Sequence, residues 1–330
     1  MSNVKKRQRL EAAIAGEPVD RLPVALWRHW PGDDQDAASM AAAHLKWQAD
    51  YDWDLLKVGP ASSYSVVDWG VKDRWEGHIE GTRTYTHLPV REAGDWEALR
   101  PLDPGQGMLK TQIEALRMIG ESLRGEVPFI PTIFSPLSMA KHLAGNETAL
   151  SHMREYPEAF RQGLETITES ITRFINAARG AGIDGIYYAI QHATYPLMSH
   201  EDYWAFGRPY DLRVLESAAG LWCNMVHLHG EQVMFDVVSD FPVSFLNWHD
   251  RDAGISLVEG LGQTQAAASG GVSQWTLHQE GPAEALSEAR DAVAQTSGRR
   301  LLLGTGCVIM TTTPLRNIRA LREFVDTDIE

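Results

Sequence analysis

The sequence predicts an α/β protein of the (β/α)8 TIM-barrel class, and three observations carry that expectation. Apolar runs of strand length recur eight times along its 330 residues. Segments with apolar residues at helical spacing separate most of them. That alternation implies parallel pairing through right-handed crossovers. Eight such units close into a barrel, whereas seven leave an open sheet. The length suits one barrel carrying insertions, so residues 1–330 are expected to form a single domain.

The runs fall at residues 23–28 (PVALWR), 53–58 (WDLLKV), 127–134 (VPFIPTIF) and 185–190 (GIYYAI). The other four fall at 224–229 (NMVHLH), 243–248 (VSFLNW), 267–272 (AASGGV) and 300–303 (RLLL). The third contains prolines that predict an irregular strand, and the glycine-rich seventh carries the weakest strand signal. Helical spacing is clearest over 149–179, 203–219 and 282–295. Residues 1–16 read as an extra N-terminal helix. Residues 62–101 are too long and too polar for a simple loop. Within them WEGHIEGTRTYTHLPV alternates like a hairpin around Glu80-Gly81, an insertion after the second strand expected to cover the barrel mouth as a lid over 69–87.

Hydrophobic residues make up 44% and charged residues 22%, the balance of a globular protein with a large core. A formal net charge of −14 argues against a nucleic-acid partner. The one basic cluster, Lys5-Lys6-Arg7-Gln8-Arg9, reads as the solvated face of the first helix. No segment reaches the roughly 18 apolar residues of a membrane span, and no apolar stretch follows the N-terminal basic residues. Cys223 and Cys307 do not make a disulfide framework. The expectation is a cytoplasmic protein with reduced thiols and no membrane partner.

Barrel enzymes keep their active sites at the C-terminal ends of the strands. His227 and His229 project to one side there, because residues i and i+2 of a strand share a face. Two parallel imidazoles make half a metal site. Cys307 follows Gly304 and Gly306 at the same rim and supplies a third, thiolate ligand. Mixed N and S donors with one open position suit zinc. The alternative is that the histidines are polar rim residues and Cys307 a small core residue. Cys223 begins its strand at the opposite face and reads as structural.

Arg28 ends the first strand beside His29 and is expected to hold an anionic group through its planar fork, the alternative being a surface ion pair. Trp248-His249-Asp250 ends the sixth. His249 or Asp250 is expected to serve as fourth ligand, orienter or general base, or else as a rim residue. Trp248, Tyr188, Gln191, His142 and His29 are expected to line the substrate pocket. The sequence holds no P-loop, no dinucleotide fingerprint and no GxSxG elbow. It also lacks an Asp-x-His-x-x-Gly stretch of the corrinoid-carrying kind, so any cobalamin would sit on another protein.

In order and spacing, several pieces together resemble the uroporphyrinogen decarboxylase-like superfamily. They are RLPVALWRHW, DWDLLKVGPASSYSVVDWG, FSPLSMAKHLAG, GIDGIYYAIQ, VHLHG and LLLGTGCVIMTTTPLRNIRAL. The resemblance spans almost the whole chain and implies a (β/α)8 barrel. True decarboxylases of this superfamily use no metal and carry an MRQAGRY-like segment, an aspartate after the second strand, a tyrosine after the third and a closing LGHG. Here Arg28 matches the first arginine, but the segment reads WRHWPGDD. Ala61-Ser62-Ser63 occupies the aspartate's place, His142 the tyrosine's, and Leu303-Gly304-Thr305-Gly306 replaces LGHG. The other branch, the methylcobamide:coenzyme M methyltransferases, holds zinc through His-x-Cys and a distant Cys in a GPGC-like segment. His227 matches the first ligand and Cys307 the last, while His229 stands where a cysteine is usual.

The resemblance therefore implies zinc-dependent methyl transfer between a small anionic substrate and a corrinoid on a separate protein. Arg28 would anchor the substrate, and His227, His229 and Cys307 would hold Zn2+. Two neutral imidazoles and one thiolate leave the ion a formal charge of +1, which suits an oxygen-bearing methyl donor or water at least as well as a thiol. The alternatives are a metal-independent decarboxylase of a smaller carboxylate or porphyrinogen-like substrate, and a non-catalytic tetrapyrrole- or corrinoid-binding barrel. A homodimer is compatible with all three.

Overall fold

A computed structural model describes residues 4–327. Seven parallel strands form one curled sheet in the order β1-β4-β5-β6-β7-β8-β9. They are β1 (Leu56–Val58), β4 (Phe129–Phe134), β5 (Tyr187–Ile190), β6 (Met225–Leu228), β7 (Phe245–Trp248), β8 (Ala267–Val272) and β9 (Leu301–Thr305). Two further strands, β2 (Lys72–Arg74) and β3 (Thr84–His87), lie between β1 and β4 in sequence and pair with each other antiparallel. Every residue of the seven sheet strands is buried. That burial on both faces explains why the runs are near-continuously apolar rather than alternating.

Each of the last seven sequence runs overlaps a strand of this sheet, the glycine-rich seventh included, and β9 runs two residues past the eighth. The first does not. Residues 23–28 make a single parallel bridge, Val24 to Leu303. Pro23 has no N–H to donate, but its carbonyl accepts from Leu303 N at 2.9 Å, and Ala25 N donates to Leu303 O at 3.0 Å. On the other side Asp54 N donates to Val24 O at 3.0 Å. This extended segment thus lies between β9 and the residues that enter β1.

Helices cover the outer face of the sheet. The N-terminal helix, Lys6–Ala15, ends at Gly16 in a left-handed cap. Its basic cluster is not simply solvated: Arg9 is buried and pairs with Asp20 and Asp54 at 2.6 Å each. The segment expected as one helix over 149–179 is two, Asn146–Glu155 and Pro157–Arg179, because Pro157 opens a new helix at its first position. No helix among the described residues is long and apolar enough to cross a membrane.

The β2–β3 pair is no tight hairpin around Glu80-Gly81; residues 75–83 connect the strands as a wide excursion. Gly81 takes φ +83°, and a Cβ on it would lie 2.7 Å from His29 Cβ. Only glycine lets this connection settle so closely on the sheet's C-terminal rim. Arg83 ties it down by pairing with Asp73 and Asp34. Thr311 N donates to Ile79 O at 2.8 Å.

Candidate metal centre

Three strand ends meet at the C-terminal rim. β6 carries His227 and is followed by His229, β7 carries Asn247 and is followed by His249, and β9 is followed by Gly306 and Cys307. One donor atom from each of His227, His229, His249 and Cys307 lies within 4.8 Å of the others. Cys307 Sγ is 3.7 Å from His227 Nε2 and 3.7 Å from His229 Nδ1. Tetrahedral zinc with bonds of about 2.0–2.3 Å spaces its ligand atoms roughly 3.3–3.8 Å apart, so the sulfur and two nitrogens already stand near that spacing. The glycines make the approach feasible. A Cβ on Gly306 would lie 2.6 Å from Trp248 O and 2.8 Å from His249 Cα, and one on Gly304 would lie 2.5 Å from Ala25 O.

Asn247 sets the orientation of His227. Register places Asn247 beside His227 on adjacent strands. Asn247 Nδ2 donates to Ser269 O at 2.8 Å and Thr305 O at 3.1 Å, which fixes the amide so that Oδ1 faces the other way. That oxygen accepts from His227 Nδ1 at 2.7 Å and from Tyr187 Oη at 3.1 Å. With its proton held on Nδ1, His227 presents the lone pair of Nε2 to the cluster.

Burial, reinforced by the neighbouring imidazoles, holds His227 well below the usual histidine range. Burial and His249 push His229 down to about 3, and burial lowers His249. Neutral imidazoles are the form that ligates. Burial raises the Cys307 thiol to about 12, with Glu80 adding to the effect and Lys57 opposing it. A bound cation reverses that preference and deprotonates a coordinating thiol. His249 Nε2 is buried without a hydrogen-bond partner. Three neutral imidazoles, one of them with a buried ring nitrogen that has no other partner, and one sulfur fit a zinc ion.

Beside the cluster is a cavity of about 80 Å3, bounded by His227, His229, Cys307, Lys57, Glu80 and Gln191 among others. His29 and Gln191 line it. His29 Nδ1 donates to Pro60 O at 3.1 Å, and Gln191 Oε1 accepts from Lys141 Nζ at 2.7 Å. His249 joins the cluster as a fourth donor.

The other expected residues lie elsewhere. Arg28 faces away from the cavity: its guanidinium sits 4.5 Å over the Trp30 ring, on an outer groove of about 750 Å3 that also takes in Tyr51 and Arg319. Alternation along the extended segment is the reason, since Trp27 and His29 take the inner side. The same alternation turns Tyr188 outward, where its hydroxyl donates to Asp211 at 2.5 Å, while Tyr187 faces in. It also turns Trp248 outward against Phe235, with Nε1 donating to Ile255 O at 2.9 Å. His142 lies one layer back, stacked on Tyr85 and edge-on to Phe134. Asp250 points away from the cluster. It accepts from Gly271 N at 3.1 Å and sits against Gly270, where a Cβ would come within 2.4 Å of Oδ1.

Sequence reasoning missed Lys57 and Asn247. Both interrupt apolar strand runs with a polar side chain near the C-terminal end, and that interruption was the available signal.

A family profile described as uroporphyrinogen decarboxylase (URO-D) matches residues 69–327. The methylcobamide:CoM methyltransferase MtbA of Methanosarcina acetivorans is 21% identical, over 98% of this chain and 98% of that relative. A uroporphyrinogen decarboxylase of Syntrophotalea carbinolica is 28% identical over 46% of this chain and 45% of its own length. Among solved structures, a methyltransferase from Methanosarcina mazei superposes with a TM-score of 0.87 at 22% identity, covering 98% of this chain and 99% of that one. The likeness to that structure concerns the fold.

Proposed function

This chain belongs to the uroporphyrinogen decarboxylase (URO-D) family, and from that membership we propose a zinc-dependent methyltransferase-type enzyme. It moves a methyl group between a small anionic molecule and a corrinoid carried by a separate protein. The site sits in a single (β/α)8 barrel, with residues 23–25 as the eighth stave. One observation carries the reading: His227, His229, His249 and Cys307 gather their donor atoms within 4.8 Å at the rim of a small cavity. The full-length similarity to a methylcobamide:CoM methyltransferase supports it.

His227, His229 and Cys307 hold the ion, His249 stands as a fourth donor that gives up its position to the substrate, and Asn247 orients His227. When bound, zinc supplies a Lewis acid that retains a formal charge of +1 with neutral imidazoles and one thiolate. His29 and Gln191 shape the cavity, and the 75–83 connection shields it from water. A cavity of about 80 Å3 favours a small substrate. A tetrapyrrole calls for a pocket in the range of roughly 300–1,000 Å3, which weighs against the porphyrinogen alternative.

The test is elemental analysis of protein purified without chelator, paired with the visible spectrum of methylcobalamin during incubation with small thiols and methoxy compounds. About one zinc per chain is expected, lost in His227→Ala and Cys307→Ala, together with protein-dependent demethylation of the cobalamin. Metal-free protein, or a Cys307→Ala variant with undiminished turnover, refutes the reading.

A further inference from the structure

The outer groove of about 750 Å3 is a second cavity, and two of its cations have no counter-charge. One wall is the helix Ala37–Tyr51. Ser39, Ala42, Ala43, Lys46, Trp47 and Asp50 line the groove, and their spacing of i, i+3, i+4, i+7, i+8 and i+11 is that of one helix face. The two alanines in the middle of that face leave the space open. Arg28 and Trp30 contribute from the extended segment, on the side away from Trp27 and His29. Leu315 and Arg319 contribute from the helix Leu315–Thr327.

Three cations line this groove against two carboxylates, in a chain whose net charge is −14. Lys46 is neutralised by Asp50 at 2.8 Å, one helical turn on. Arg28 and Arg319 form no ion pair among the described residues, with Asp33 or any other acid. Arg28 is half-buried; its Nε donates to His29 O at 3.4 Å, and its guanidinium lies over the Trp30 ring. A π face offsets only part of the cost of taking a cation out of water. Burial lowers Arg28 below its usual value, and the group that opposes this is the Tyr51 hydroxyl rather than a carboxylate. Arg319 acts on the same hydroxyl, which makes no hydrogen bond among the described residues. Two guanidiniums without counter-charges thus stand around one unbonded phenol.

We propose that this groove is a second binding site, separate from the metal centre, for a phosphate monoester with a flat apolar body. The forks of Arg28 and Arg319 and the Tyr51 hydroxyl supply donors for the phosphate oxygens. A phosphate dianion balances both guanidiniums, whereas a carboxylate brings a single charge and two oxygens. The organic part lies along Ala42 and Ala43, where no side chain extends beyond Cβ, against Trp30 and the 52% exposed Leu315. The volume falls in the range of roughly 300–1,000 Å3 typical of small-molecule sites. The central cavity of about 80 Å3 is too small for such a molecule. The site requires neither zinc nor methyl transfer, so it stands apart from the methyltransferase reading.

Isothermal titration calorimetry tests it at about 0.15 M salt, where exposed charges are largely screened. The probes are 1-naphthyl phosphate, 1-naphthoate, 1-naphthol and inorganic phosphate. Naphthyl phosphate is expected to saturate one site per chain and to bind about 10- to 100-fold tighter than naphthol or inorganic phosphate, with naphthoate in between. Arg28→Gln and Arg319→Gln should each weaken it about 10- to 100-fold, the range for one charge-assisted contact, with the melting temperature near that of wild type. Ala42→Phe keeps both charges and fills the groove, so it should weaken naphthyl phosphate while leaving inorganic phosphate unchanged. Lys57→Gln removes the cation that lines the central cavity and should leave naphthyl phosphate binding unchanged. Zinc-loaded and chelator-treated protein should bind alike, so the result does not depend on the metal reading. Absence of saturable binding, naphthoate binding tighter than naphthyl phosphate, an affinity that survives both arginine substitutions, or binding that tracks Lys57 or zinc overturns the proposal.

Discussion

Replacing Asn247 with leucine removes the group that fixes the His227 ring while keeping its branched outline. In the native fold the amide accepts from His227 Nδ1 at 2.7 Å and Tyr187 Oη at 3.1 Å, and it donates to Ser269 O and Thr305 O. Leucine leaves all four of these partners without their bond inside the protein. At about 1 kcal/mol or more for each buried group left unpaired, the expected loss of stability is roughly 4 kcal/mol, at the exceptional end for a single substitution. Metal affinity should fall by about 10- to 100-fold, the usual effect of deleting a ligand's outer partner. Two assays separate these effects. Denaturant unfolding of chelator-treated protein gives the stability change, and competition with a chromophoric chelator gives the zinc affinity. Asn247→Asp is the companion variant. It keeps an oxygen for His227 but loses both donors, so it should share much of the destabilisation while holding zinc better than leucine. A folded Asn247→Leu protein with wild-type zinc affinity would falsify the orienting role.

Three further outcomes are expected. A Cβ at Gly306 would lie 2.6 Å from Trp248 O, so Gly306→Ala should part the ends of β7 and β9. It should cost about 1–3 kcal/mol of stability and lower zinc occupancy; unchanged melting temperature and metal content contradict this. Arg28→Ala should change metal content by no more than about twofold, because the side chain lies on the outer groove; a larger loss returns Arg28 to the metal site. Burial raises Asp211 to about 7, against hydrogen bonds from Tyr188 and Tyr203. The folded protein then keeps this proton above the unfolded value of about 4. The contribution to stability is full below that value and is lost as pH rises through about 7. Asp211→Asn should therefore lose less stability than wild type between pH 5 and pH 8, and parallel denaturation profiles for the two proteins would count against this.

The strand runs and the HxH pair could be read from the sequence because they depend only on local pattern. A two-residue period puts His227 and His229 on one face whichever face that is, and Cys307 follows glycines that only close backbone approach requires. The phase of the alternation could not be read. In a sheet buried on both faces the inner and outer positions are equally buried, so nothing local distinguished Tyr187 from Tyr188. For the same reason the sequence alone does not show that Arg28 faces the outer groove while Trp27 and His29 face the inside. Lys57 and Asn247 acquire meaning only through partners on other strands: the ring of Tyr187 for one, the ring of His227 for the other. The weak strand signal over 267–272 had a tertiary origin too. Gly270 and Gly271 take φ values of +157° and +112°, and a side chain there would meet Asp250 or Ala292.

The bonds that join Pro23 and Ala25 to Leu303 have a consequence for how this chain is made. Synthesis proceeds from the N-terminus, and strands can pair as they emerge. The seam between residues 23–25 and β9 cannot form until Leu303 itself is out. Until then the nascent sheet ends in exposed strand edges whose amides and carbonyls face solvent, the geometry that recruits foreign strands. Aggregation risk during biosynthesis therefore peaks late, when most of the sheet exists and its last partner does not.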